Sequence, residues 1–157
     1  GSSSNVNWAT STDNNWYITG VQLEVGQNAT EFEHEPFERT MAKCQRYFRH
    51  FQSEDSAYMQ FFNGFCYNST EFIGAYLLTP KMRGQPALGT SGTASNYEVL
   101  FTNNSVACSA VPSLDSQSET DSLDIRATVS SGLTAGSGAT LRARNTTSAF
   151  LTFDAEL

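Results

Sequence analysis

WYITGVQLEVGQNATEFEHEPFERTMAKCQRYF, residues 16–48, holds the sharpest change of period in the chain. In its first half Tyr17, Thr19, Val21, Leu23 and Val25 share one face of an extended segment, with Gln22 and Glu24 opposite. That alternation predicts a half-buried strand, ended by Gly26. Residues 27–36 mix Asn, Glu, His and Pro with two lone aromatics and read as an extended connector. Pro36 disfavours the α region at Glu35 but suits a first helical turn. From there Phe37, Met41, Cys44 and Phe48 recur every three to four residues, one apolar stripe. Glu38 near the start and Lys43 and Arg46 near the end complement the helix dipole. The spacing predicts one short helix over 36–45, followed by a return to extended chain at RYFRHF (46–51).

Working outward, no other segment has helical period. Residues 1–15 are polar, with Trp8 alone among them. Residues 58–67 and 72–78 are apolar on both faces and joined by a turn-like Asn68-Ser69-Thr70-Glu71. In an antiparallel sheet one face usually meets water and alternates with polar residues. Here Phe61, Phe65 and Tyr67 point one way, and Tyr58, Phe62 and Cys66 the other. This pattern predicts that both faces are covered within the fold or that one is a subunit interface. Alternation returns at Tyr97, Val99 and Phe101, then at Leu123, Ile125, Ala127 and Val129. It recurs at Leu141 and Ala143, and is cleanest at Ala149, Leu151, Phe153, Ala155 and Leu157. Ser/Gly/Thr/Asn-rich loops separate these runs. The fold class predicted is all-β, a jelly-roll-like antiparallel β-sandwich with one short helix. The expected organisation is a strap, or last strand of an upstream sandwich, over 1–30, a connector and helix over 31–50, and a β-sandwich over 51–157.

The composition suits that class. Only 16% of residues are charged, and 11 Phe and 6 Tyr stand among many Ser, Thr and Asn. Aromatics at that level argue against disorder. A net charge of −7 argues against a nucleic-acid partner, which needs a basic footprint. No run of some 18 apolar residues exists to enter a bilayer. Cys44, Cys66 and Cys108 are odd in number and widely spaced, which fits neither a disulfide framework nor a zinc site. They read as three reduced, packed side chains of a protein assembled in a reducing cytosol.

Catalytic constellations are not found. His34 and His50 are the only histidines, and no G-x-S-x-G elbow occurs. Carboxylates cluster at Glu31, Glu33, Glu35 and Glu38 and again at Asp115, Glu119, Asp121 and Asp124. A glycosidase needs two of them set across a cleft, and both clusters read as solvated acidic faces. The second, Asp-rich cluster offers the oxygen ligands calcium takes but lacks the alternating Asp/Asn spacing of a dedicated site; no metal or cofactor is expected. Sugar recognition uses aromatic faces and directional polar groups. The candidates are Trp8, Trp16, Tyr67 and Tyr97, with Arg142 and Arg144 for polar contacts.

The opening stretch also resembles a junction of phage and prophage tail-fibre proteins. In that pattern a strand reading G-V-Q-L-E-x-G leads through A-T-P-F-E-x-R and a short helix to C-Q-R-Y-Y, which opens a C-terminal β-domain. Gly20 to Gly26, Ala29-Thr30, Phe32-Glu33 and Cys44 to Tyr47 match it. Pro80, Met82-Arg83 and Pro86 resemble the family's M-R-x-x-P segment, and Asp154 to Leu157 its usual last residues. Glu31 and Glu35 depart from the usual Pro and Arg. The resemblance implies a virion tail-fibre tip, assembled in the bacterial cytoplasm, commonly homotrimeric, contacting a host surface glycan or protein. It transfers no catalytic residues. The interface expected from the two-faced strands includes Phe61, Phe65, Phe72 and Tyr76. Two alternatives stay open: a trimerisation cap without a receptor site, and a polysaccharide-degrading enzyme.

Overall fold

The computed structural model describes residues 17–28, 30–32 and 34–156. The chain divides into two compact units, Gly1–Pro36 and Phe37–Leu157.

In the first unit residues 17–25 have no regular secondary structure and join no ladder among the described residues, and Gly20 among them has a positive φ of 67°. The half-buried strand is therefore not formed within this unit, and Val21, Leu23 and Val25 are exposed, Leu23 to 99%. A small polar turn follows them. The Glu24 carboxylate accepts hydrogen bonds from Gln22 Nε2 (2.8 Å), from the Thr30 amide (3.1 Å) and from the Thr30 hydroxyl (2.9 Å). These donors, Gln22 first, hold its pKa below the usual carboxylate value.

The second unit begins with α1, Phe37–Gln45, one residue from the predicted start. No residue of α1 is buried. The stripe Phe37, Met41 and Cys44 faces solvent, whereas Ala42 and Gln45 are half-covered. The helical period was legible, but the face it packs is offset from the apolar one.

Ten antiparallel strands follow: β1 Phe48–Gln52, β2 Gln60–Cys66, β3 Glu71–Leu77, β4 Ala87–Thr90, β5 Tyr97–Phe101, β6 Asn104–Ala107, β7 Ser113–Leu114, β8 Ser122–Thr128, β9 Gly138–Ala143 and β10 Phe150–Asp154. They form a three-stranded sheet in the order β1-β10-β4 and a seven-stranded sheet in the order β6-β5-β9-β2-β3-β8-β7. This is an all-β, sandwich-like fold, as predicted. The strongly alternating strands put their apolar sets inside: Leu123, Ile125, Ala127 and Val129 are buried, and so are Tyr97, Val99 and Phe101, and Leu151 and Phe153. Phe153 meets Phe51 (5.9 Å between ring centroids) and Phe62 (6.0 Å), and Tyr76 meets both Phe51 and Phe62. Edge-to-face rings at such spacings add to the area they bury.

The two-faced reading of 58–67 is corrected by a bulge. Between Gln60 and Phe62 the register against β9 shifts by one residue. The bulge lets consecutive Phe61 and Phe62 both turn inward, since a bulge puts two residues opposite one. Phe61, expected at a subunit interface, is 8% exposed and packs on Tyr97 (6.0 Å). Phe72, expected there too, is fully buried in the chain's own core. Tyr76 is half-buried in the aromatic cluster. Phe65 alone of the four lies open, 45% exposed, opposite Ile73 on the outer face. Where Gly64 meets Gly74 the strands approach so closely that a Cβ on Gly64 would lie 2.0 Å from the Ile73 carbonyl oxygen.

Two turns set the register of the seven-stranded sheet. Asn68 Oδ1 accepts from the amides of Thr70 (2.8 Å) and Glu71 (2.9 Å), closing the β2–β3 hairpin by an Asx turn. Thr102 and Asn103 both have positive φ in the two-residue loop between β5 and β6. That is the backbone hand two-residue hairpins need, and Asn tolerates it well.

The cysteines split. Cys66 and Cys108 are buried, as expected, while Cys44 on α1 is exposed. Burial, followed by the charge of Glu98, pushes the Cys108 thiol from its ordinary 9.0 up to about 12. Because the folded-state pKa is raised, the neutral thiol's contribution to stability is complete below about pH 9 and is lost as pH rises toward about 12. A thiol reagent at pH 8 is expected to label one cysteine in the folded protein and three in denaturant. Mass spectrometry of the labelled peptides checks this; modification of Cys108 before unfolding would contradict the burial.

Candidate functional site

The outer face of the seven-stranded sheet carries the polar chemistry. β5 and β9 pair so that Glu98 stands opposite Arg142. Arg144, two residues on, shares Arg142's side of the chain. Glu98 belongs to the outward set of β5, yet its side chain is only 6% exposed. The two arginines cover it. Glu98 Oε1 accepts from Nε of Arg142 at 2.6 Å and forms an ion pair with its Nη2, also at 2.6 Å. Glu98 Oε2 lies 3.7 Å from Arg144 Nε. The Arg142 guanidinium in turn rests over the Tyr58 ring, its Cζ 4.9 Å from the centroid. A buried charge is tolerated only when paired and hydrogen-bonded, and this arrangement meets that demand from one strand pair and one loop aromatic.

Around this triad opens a cleft of about 600 Å³ lined by Tyr58, Glu98, Ser105, Arg142, Arg144 and Asn145. Of the predicted sugar-contact residues, the structure thus brings Arg142 and Arg144 together. Tyr67 lies at a different hollow of about 320 Å³, with Ile73, Asp115, Gln117, Asp124 and Arg126. There Arg126 donates to Asp115 and lies 3.7 Å from Glu71. The Gln117 amide (3.0 Å), more than Arg126, holds the Asp115 carboxyl below its usual range.

Tyr97 is a correction. It was expected to offer a ring face to a sugar, but it is fully buried. Its hydroxyl donates to the Phe150 carbonyl (2.5 Å) and accepts from the Ser91 amide (2.9 Å). It therefore ties β5 to β10 from inside. Trp8 and Trp16 lie outside the described residues.

Sequence reasoning missed Glu98, Tyr58, Ser105 and Asn145. A lone carboxylate between Tyr97 and Val99 in an apolar strand was the available signal for Glu98. Its pairing with Arg142 depends on register between strands some forty residues apart, which no local pattern states. The acidic run over 115–124 gathers no metal site: among the described residues no three His, Cys, Asp or Glu side chains come together in a way that could hold an ion. No helix among them is long and apolar enough to cross a membrane. No family model, curated protein or solved structure matches the chain.

Proposed function

We propose that this chain is a non-enzymatic attachment domain of a virion tail fibre, acting as a homotrimer that binds glycan or protein on the host surface. The observation that carries the reading is the open cleft at Tyr58, Glu98, Arg142 and Arg144 on a rigid sheet face. Tyr58 is 48% exposed, and aromatic and directional polar groups converge there on a concave surface, the composition expected of a binding site. The junction motif at residues 20–47 supports the fibre context by resemblance. Against hydrolysis, the cleft has a single lining carboxylate among the described residues. Both of its oxygens face arginines, where glycoside cleavage uses two carboxylates across the bond.

Fluorescently labelled protein is expected to adsorb saturably to a subset of bacterial strains and to lose adsorption when surface polysaccharide is oxidised with periodate. Adsorption to none of a broad strain panel would overturn the attachment role.

One observation favours a second reading, a fibre cap whose task is trimerisation. Val21, Leu23 and Val25 in the first unit, and separately Phe65 and Leu77 in the second, are large apolar side chains left in water by the single chain, the kind of surface that a partner chain covers. Under that reading light scattering gives three chains per particle while strain adsorption is absent. A monomer at micromolar concentration removes the trimer from both readings.

A further inference from the structure

The chain has nine Lys and Arg residues against sixteen Asp and Glu, so positive charge placed at one cleft is a local exception. Arg142 is committed. Nε and Nη2 both engage Glu98, and the Tyr58 ring holds the guanidinium plane. Arg144 is different. Its side chain is 48% exposed, and its only ionic neighbour among the described residues is Glu98 at 3.7 Å from Nε, beyond a good hydrogen bond. Its terminal N–H groups carry no hydrogen bond among the described residues. Nor do the Ser105 hydroxyl, the Asn145 amide or the Tyr58 hydroxyl, all of which line the same cleft. Asn145, two residues past the end of β9, has a positive φ of 47°. With one carboxylate and two guanidiniums, the cleft carries one net positive charge.

From this we infer that the cleft takes a sugar bearing one carboxylate, a uronate unit within a glycan. The inference rests on the attachment reading and names its ligand chemistry. A planar guanidinium matches a planar carboxylate with two parallel hydrogen bonds, so Arg144 takes the ligand's charge. Ser105 and Asn145, donors and acceptors both, take ring hydroxyls. Tyr58 offers apolar ring surface to the sugar's C–H groups. A doubly charged phosphate monoester suits the cleft less, because Glu98 stands within it and the net charge balances one negative charge only; a phosphodiester, singly charged like the uronate, is the competitor that the titration includes.

The test is isothermal titration of the whole chain with alginate oligosaccharides, which are polyuronates, with neutral dextran oligosaccharides of equal length and with a glycerol-phosphate oligomer. Alginate oligosaccharides are expected to bind, and Arg144→Ala to weaken binding about tenfold or more. Arg144→Lys is expected to recover only part of the loss, since a lysine lacks the fork. The melting curve of Arg144→Ala, an exposed position, serves as the folding control. Absence of alginate binding, equal binding of dextran, preference for the glycerol-phosphate oligomer, or unchanged affinity in Arg144→Ala would each overturn the uronate assignment. Strain adsorption by the same preparation separates the two levels. Adsorption without alginate binding overturns the ligand class alone, and absent adsorption overturns the attachment role.

Discussion

Phe153→Ala will lower the melting temperature of the Phe37–Leu157 unit by ~10–20 °C. The ring is fully buried and sits between Phe51 and Phe62, with centroids 5.9 and 6.0 Å away. Truncating a buried Phe to Ala costs about 3–5 kcal/mol, the lost transfer energy plus the cavity left behind. Against a total stability of roughly 5–15 kcal/mol, that removes between about a fifth and all of it. Neighbouring rings cannot close the gap cheaply, since Phe51 is fixed in β1 opposite Leu151 and Phe62 in β2 opposite Leu141. Denaturant unfolding followed by tryptophan-independent far-UV signal measures the change. A drop under about 1 kcal/mol would mean that the two sheets do not close over this cluster. The matching substitution Phe65→Ser, on the outer face, is expected to leave the melting temperature nearly unchanged and alter stoichiometry if that face is an interface. The contrast separates a core role from an assembly role, which two-faced patterning alone leaves merged.

The same residues show what the sequence made legible. Where a strand is buried on one side only, alternation names the inner set correctly: Ala149, Leu151, Phe153 and Ala155 are all buried, Leu157 lying outside the described residues, and the pleat leaves them no other face. Short polar strands escaped because they have no such signal. β4, β6 and β7 are two to four residues long, and Asn104-Ser105 reads as loop until the positive φ values before it reverse the chain. The Phe61/Phe62 pair defeated period-two reading because a bulge is a one-residue slip, invisible in the letters around it. The two arginines of the cleft were visible as an R-A-R alternation; their carboxylate partner was not. A strand sequence states which residues share a face, not which neighbour they meet across the sheet.

That partner carries the second large effect. Glu98→Ala will destabilise the protein by about 2–3 kcal/mol, below the 3–5 kcal/mol of a fully buried ion pair that loses one member. The reduction follows from exposure: Glu98 is 6% exposed, but Arg142 is 20% and Arg144 48%, so water reaches the guanidiniums once the carboxylate is gone. Removing both charges together restores most of the loss, because no buried charge is then left unpaired. Urea unfolding of Glu98→Ala, Arg142→Met and the double variant completes the cycle. A Glu98→Ala cost within 0.5 kcal/mol of zero, on the scale typical of exposed pairs, would show that the pair is a surface one. Cys108 is an internal control: burial, ahead of Glu98, is what raises its thiol, so Cys108 stays unreactive in the folded variant. The decisive comparison is between stability and binding. Glu98→Gln keeps the shape of the side chain and raises the net charge of the cleft from one to two. Stability falls, while affinity for alginate oligosaccharides rises, because the one group competing for arginine is neutralised. A carboxylate that served only to brace the sheet would lower both together. Opposite signs in one variant are what a cleft built to receive a second carboxylate requires.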